Sequence, residues 1–234
     1  MDLNASKGVL MKNKKVLFMV QLAVFTAIEA IFCFTPLGSL PIGPGIVATL
    51  AHIPALIVAM TLGKMAALYM GTIMGVFSLI IWTFMPPNPL YAFCFSPFMP
   101  NGNIWSLVIC IVPRMVFPVV AAVLFELLIK IFSKNKSVSK PKTIAFGAIV
   151  AAVSSLIHSV LVLGTIFLVF GGNADISQSI IEQAGTGADV GISSDLVTFL
   201  VAWGWLNSIC EAIVAAIVCG AIVVPIRKVA KQTN

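Results

Sequence analysis

The side chains of this chain that could do chemistry lie inside long apolar runs: Glu29, His52, Arg114, His158, Trp203, Asn207 and Glu211. Arg114 is the most informative of them. A guanidinium near the middle of a bilayer costs roughly 2.5–3.5 kcal/mol on insertion scales, so it needs a partner or a purpose. Its planar fork takes carboxylates through charge-assisted hydrogen bonds. Trp203, Asn207 and Glu211 are spaced i, i+4, i+8 and share one helical face, as do Ser154 and His158. Together these groups suit a small amphipathic molecule with an anionic end. Simpler roles stay open. Arg114 could form a structural ion pair with Glu211 or Glu29. His158 could make an ordinary hydrogen bond between helices, and His52 lies close to a membrane interface. The two His and the two buried Glu stand at no recognised catalytic spacing, so no catalytic residue is assigned. No metal-ligand cluster of the H-E-x-x-H type occurs, and neither a metal nor a cofactor is expected.

The elements that hold these residues follow from composition. The chain has 234 residues, of which 60% are hydrophobic and 9% charged. Its mean hydropathy is +1.09. A soluble domain carries about 25% charged residues, so this is an integral membrane protein. Apolar stretches of about 20 residues cross a bilayer. Six spans are predicted, at 16–34, 47–62, 65–84, 104–132, 143–170 and 195–226, the second of them short. The fold class expected is therefore an all-α membrane protein: one six-helix domain over 16–226, a basic tail over 1–15 and a second tail over 227–234. No cleavable leader is read in the first span, and Met11 is an alternative start.

Net charge is +6, but this is not a nucleic-acid signature. The basic residues flank the spans: Lys7, Lys12, Lys14 and Lys15, then Lys64, then Lys130, Lys134, Lys136, Lys140 and Lys142, then Arg227, Lys228 and Lys231. Arg114 is the exception. The segments 35–46, 85–103 and 171–194 hold no Lys or Arg, and the last carries Asp175, Glu182 and Asp189. The positive-inside rule then places both termini in the cytoplasm of a multi-pass cell-membrane protein. The intramembrane polar groups fall in the outward half. Arg114 lies about 10 residues, or roughly 15 Å, from the outer end of its span.

The outer segments are unusual. Residues 35–46 interleave Pro36, Pro41 and Pro44 with Gly38, Gly43 and Gly45, which predicts a shaped turn. Residues 85–103 mix prolines with Tyr91, Phe93, Phe95 and Phe98, and fit a segment folded onto the mouth of the bundle. Gly63-Lys64 forces a tight helical hairpin. Prolines 113 and 118 should bend the fourth span and free carbonyls. Glu126 and Lys130 read as a surface pair, and Trp82, Trp105 and Trp205 as interface anchors. Small residues on the fifth span (Gly147, Ala148, Ala151) and the sixth (Gly204, Ser208, Ala212, Gly220) suit close packing of those two helices. The five cysteines read as buried hydrophobes. A Cys33–Cys94 bridge is an alternative.

The stretch FTPLGSLPIGPGIVATLAHIPALIVAMTLGKMAALYMGTIMGVFSLI (34–80), with FSPF (95–98) and VPR (112–114), resembles the substrate-specific S components of energy-coupling-factor (ECF) vitamin transporters. The distinctive part is PLG…PIGP…ATL-x-HIP, and the order of elements matches along nearly the whole chain. Within that family the chain is most similar to pantothenate-type members. Lys64 departs from the family pattern, since many relatives have Gly-Pro at this turn.

The resemblance implies a six-helix subunit that binds a vitamin from outside. Such subunits work with a transmembrane coupling protein and two ABC ATPases. It implies that Ala23 and Ala27 carry the A-x-x-x-A contact to the coupling protein, and that 35–46 acts as a lid. This chain has no G-x-x-x-x-G-K-[ST] loop, in keeping with energy supplied by a partner. With pantothenate as ligand, Arg114 takes the carboxylate. His158, Asn207 and Glu211 then meet its hydroxyls and amide, Trp203 covers the apolar middle, and His52 borders the site. Two rival functions remain: an S component for riboflavin or a folate-like compound, and a self-sufficient transporter coupling protons through Glu29, Glu211 or His158.

Overall fold

In hydrocarbon every backbone polar group must be satisfied within the chain, which makes long apolar runs helical. A computed structural model describes residues 3–43, 46–87, 89, 92–133, 139–170 and 196–230, with side chains placed except at 3–13, 39–48, 196–203, 205–206 and 229–230. The acidic segment 171–194, Lys134, Lys136 and Tyr91 lie outside the described residues, as do the side chains of Trp203 and Trp205. The helices are α1 (Leu3–Phe34), α2 (Ile53–Leu62), α3 (Lys64–Phe84), α4 (Ala92–Phe95), α5 (Ile104–Phe132), α6 (Lys140–Phe170) and α7 (Leu196–Ala230). Five of them, α1, α3, α5, α6 and α7, contain stretches long and apolar enough to cross a membrane. The basic stretch ahead of residue 16 is helical from Leu3 and continuous with the first span.

The second predicted span needs correction. Residues 46–49 are a strand, and the helix that follows has 10 residues. At 1.5 Å per residue it covers about 15 Å, half of the hydrocarbon layer. Two local preferences explain this. Pro54 is best accommodated in a first helical turn, and the β-branched Ile46, Val47 and Thr49 favour a strand before it. The shaped turn of 35–46 is thus a 3-10 turn (Pro36–Gly38) leading into a β-hairpin, β1 (Ser39–Gly43) with β2 (Ile46–Thr49). Its register pairs Ser39 with Thr49 and Leu40 with Ala48, and is irregular between Pro41 and Gly43, where proline cannot supply a ladder donor.

Helix α2 is apolar on every side, and Ile53 through Thr61 are all buried. The spanning helices wrap around it. Gly63 turns the chain at φ +89°, a conformation that favours glycine, and α3 begins at once with Lys64. Lys64 Nζ lies 3.7 Å from Glu126 Oε2, so Glu126 pairs across helices with Lys64 rather than along α5 with Lys130. Both partners are exposed, and the pair adds little to stability.

Helices α3 and α5 run antiparallel and meet at Gly71 and Gly75, a G-x-x-x-G spacing. A Cβ on Gly71 would overlap the Arg114 carbonyl oxygen and stand 2.9 Å from Met115 Cα, while one on Gly75 would lie 3.2 Å from Ile111 Cα. Helix α1 runs parallel to α3, through Thr26 Oγ1 to Met70 Sδ at 3.7 Å and Phe34 to Phe77 at 5.3 Å between ring centroids. The small-residue faces of the fifth and sixth spans pack together as expected. Gly147 faces Val223, and Gly220 faces Ala148.

Segment 92–103 is folded onto the bundle. Asn103 caps α5 by accepting from Trp105 N–H at 2.9 Å, Ser106 Oγ accepts from Asn103 N–H at 3.2 Å, and that hydroxyl donates to Phe93 O at 2.7 Å. Phe93 packs edge-on against Phe170 at 5.1 Å.

Buried apolar residues form two clusters. One, around α2, includes Leu56, Met70, Phe117, Phe125, Val150 and Val223. The other includes Phe93, Phe95, Ile109, Cys110, Ile166 and Phe170. Along α5, Arg114 falls between the residues of the two clusters. Along α6, Ser154, Ser155 and His158 do the same. A polar layer thus separates an apolar floor from an apolar roof.

Candidate ligand-binding site

The prolines of α5 create the first element of this layer. Pro113 has no N–H to offer the Ile109 carbonyl, the ordinary helical acceptor four residues back. The Arg114 side chain fills that role. Its Nη1 donates to Ile109 O at 3.4 Å and to Cys110 O at 2.7 Å. Pro118 likewise frees the Arg114 carbonyl, which is the group that faces Gly71. The guanidinium also lies 5.3 Å from the ring centroid of Phe95, and Phe95 stacks on Trp82 at 4.6 Å with 27° between planes. Trp82, half-buried, thus packs against the segment at the bundle mouth. Trp105 is 58% exposed, as an anchor should be.

Arg114 is only 7% exposed, and among the described residues it forms no ion pair with a carboxylate. The structural pairing with Glu211 or Glu29 is not made. The Arg114 Nε–H is buried without a hydrogen-bond partner.

His52 is the N-cap of α2, and its side chain makes no capping bond. It turns instead toward α6, where Nε2 and Ser155 Oγ stand 3.3 Å apart. Its ring stacks with His158 at 6.4 Å between centroids, too far for a bond between the imidazoles. Phe117 fills the angle, 4.6 Å from His158 and 6.4 Å from His52. His158 Nε2 is buried and unpartnered, as is Ser154 Oγ one turn away.

On α7, Glu211 Oε1 accepts from the backbone N–H of Thr49 at 2.9 Å. This carboxylate holds the end of the β-hairpin, a role its sequence context did not suggest. Asn207, one turn along, leaves Oδ1 buried and unpaired. Trp203 lies on the same helix, with its side chain outside the described residues. Ala23 and Ala27 are on an exposed face of α1, away from the layer.

Thus Arg114 Nε, Ser154 Oγ, His158 Nε2 and Asn207 Oδ1 are all buried without hydrogen-bond partners. Native interiors leave few such atoms, because each costs about 1–3 kcal/mol. Orphaned donors and acceptors drawn from three helices of one layer are what a polar ligand would satisfy. Phe95 and Phe117 pack against Arg114 and His158, Trp82 backs Phe95, and Ser155 meets His52; sequence reasoning assigned none of the four to the site. Their signal is weak: aromatic and hydroxyl residues in apolar runs are common core residues. Cys33 and Cys94 are both free thiols, so no bridge ties the first span to segment 85–103.

The family described as "ECF transporter, substrate-specific component" matches residues 17–223. The chain is a substrate-specific component of an ECF transporter. As an S component it is a transport binding subunit of the cell membrane, not an enzyme. Membership implies a transported substrate and an ECF module as partner. The solved structure of ThiT from Listeria monocytogenes is similar in fold, with a TM-score of 0.55 and 15% identity over 94% of this chain and 98% of that chain. No curated protein matches significantly.

Proposed function

We propose that this S component captures a small carboxylate-bearing vitamin, pantothenate, from outside the cell and hands it inward. The observation that carries the reading is Arg114, a buried guanidinium with no carboxylate partner and an unpaired Nε–H. A ligand carboxylate docks there by charge-assisted bonds. The free atoms of Ser154, His158 and Asn207 meet the amide and hydroxyls of the ligand. Phe117 and Phe95 line its apolar middle, and Trp203 is assigned to cover it. The basic ends of the bundle face the cytoplasm by the positive-inside rule, so the β-hairpin and segment 92–103 face outward and cover the layer. Residues 16–226 act as one membrane unit between basic ends. The exposed Ala23 and Ala27 receive the transmembrane coupling protein, and two ABC ATPases drive release.

A thermal-shift panel of pantothenate, thiamine, riboflavin, biotin, folate and pyridoxine on the purified protein tests the ligand. A ligand at 100 times its Kd stabilises the folded state by about 2.7 kcal/mol. Pantothenate should raise the Tm most. A larger shift with riboflavin or thiamine would replace the carboxylate reading by one based on ring stacking or on a cation.

Phe95 should set how well Arg114 is held. A cation over an aromatic face contributes about 0.5–2 kcal/mol. Phe95→Leu keeps an apolar side chain but removes that face, so calorimetric titration with pantothenate should show an affinity about fivefold weaker. An unchanged Kd would leave Phe95 as a packing residue only.

A further inference from the structure

Glu29 is fully buried on α1, and the mechanism above does not use it. Its Oε1 accepts from Cys33 Sγ at 3.6 Å, one turn along the same helix, and its Oε2 has no partner. The parallel packing of α1 on α3, Thr26 to Met70 and Phe34 to Phe77, sets Glu29 level with the stretch of α3 that abuts Ile111 and Arg114. Glu29 thus lies level with the polar layer, on the α1–α3 side of the bundle. No cation pairs with it among the described residues. An ionised carboxylate left this way in hydrocarbon is costly. A protonated one would leave its own O–H without an acceptor. In either form one hydrogen bond is missing.

We propose that Glu29 is a second recognition residue of the site, whose free Oε2 accepts a hydrogen bond from a hydroxyl or N–H donor of the ligand. The inference rests on the S-component reading of the polar layer. It restricts the substrate class to molecules that carry a hydrogen-bond donor besides their acidic group. A simple fatty acid or other monofunctional anion satisfies Arg114 alone and is excluded.

The test compares wild type, Glu29→Met and Glu29→Gln by thermal melting without ligand and by titration with pantothenate, or with whichever panel vitamin stabilises the wild type. Methionine fills the volume without an acceptor. The unliganded Glu29→Met protein should melt at or above the wild-type temperature, because an unsatisfied buried carboxyl has been removed. Its Kd should rise about tenfold or more, the value of a lost hydrogen bond to a charged group. Glu29→Gln keeps an acceptor and should bind closer to wild type. If Glu29→Met does not fold, Glu29→Gln carries the test, with a loss of about two- to fivefold expected. A Kd within error of wild type in the variant tested overturns the inference and leaves the Arg114 site standing. A lower melting temperature with unchanged Kd does the same and makes Glu29 a structural partner of Cys33. Failure of every panel vitamin to stabilise the wild type overturns the functional reading, and this inference with it.

Discussion

Arg114→Ala will abolish useful capture of the vitamin. The guanidinium is the cation of the polar layer, and its Nε–H has no other partner. Hydrogen bonds to charged groups contribute about 1.5–3 kcal/mol each. Loss of the carboxylate contact should therefore weaken binding by about 100-fold or more, read as Kd by titration calorimetry. Arg114→Lys should fall between. Lysine keeps the charge but not the planar fork, which here both holds the Ile109 and Cys110 carbonyls and presents a free edge to the ligand. The unliganded fold should tolerate the alanine variant. Two carbonyls lose a donor, but a buried charge goes with it, and these effects oppose each other. A Kd for Arg114→Ala within a few-fold of wild type would remove the arginine from recognition and leave it as a helix-repair device below Pro113.

The second large effect concerns stability. Gly71→Ala places a methyl group against the Arg114 carbonyl oxygen and 2.9 Å from Met115 Cα. Both obstacles are backbone, so no side chain can swing away, and α3 and α5 must separate. Overpacking of this kind costs about 1–3 kcal/mol, seen as a lower melting temperature in detergent. Gly75→Ala meets Ile111 Cα at 3.2 Å, where a shift of a few tenths of an ångström suffices, and its cost should be smaller. Gly147→Ala meets Val223 Cγ1 at 2.8 Å and Cβ at 3.3 Å; a buried helical valine is stiff at χ1, so this change also costs stability, but at the α6–α7 contact rather than at the Arg114 backbone. Because the carbonyl struck by the Gly71 methyl belongs to Arg114, ligand affinity should fall with stability at position 71 and not at 147. A loss of affinity at 147 equal to that at 71 would contradict this link between the seam and Arg114.

What could be read from the sequence, and what could not, divides along physical lines. The cost of a charge in hydrocarbon is large and local, so Arg114 announced itself, and the i, i+4 spacing of Asn207 and Glu211 fixed their common face. Their partners were less accessible. That Glu211 would hold Thr49 N–H depends on a contact across 162 residues of chain. Glu126 had Lys130 within reach on its own helix, yet the turn at Gly63 brings Lys64 to it. Hydropathy alone made 47–62 a span, because an apolar strand and an apolar helix look alike until Pro54 and the β-branched residues before it are weighed. The small residues of α6 and α7 were recognised as packing faces. Gly71 and Gly75 were missed, although their spacing is the same signal. The stacking of Trp82 on Phe95 depends on how segment 92–103 folds back, which residue type alone does not give.

The short helix α2 has a consequence in electrostatic terms. A spanning helix leaves its two ends at the two surfaces, where water and headgroups neutralise them. Helix α2 instead begins at Ile53, inside the bundle, next to the layer that holds His52, His158 and Arg114. Aligned peptide dipoles give a helix roughly half a positive elementary charge at its N-terminus. That end has no side-chain cap, and Pro54 leaves one donor fewer to share. The layer thus receives positive potential from two directions, from the guanidinium on α5 and from the backbone of α2. An anionic group entering it meets a field shaped partly by a helix that stops halfway.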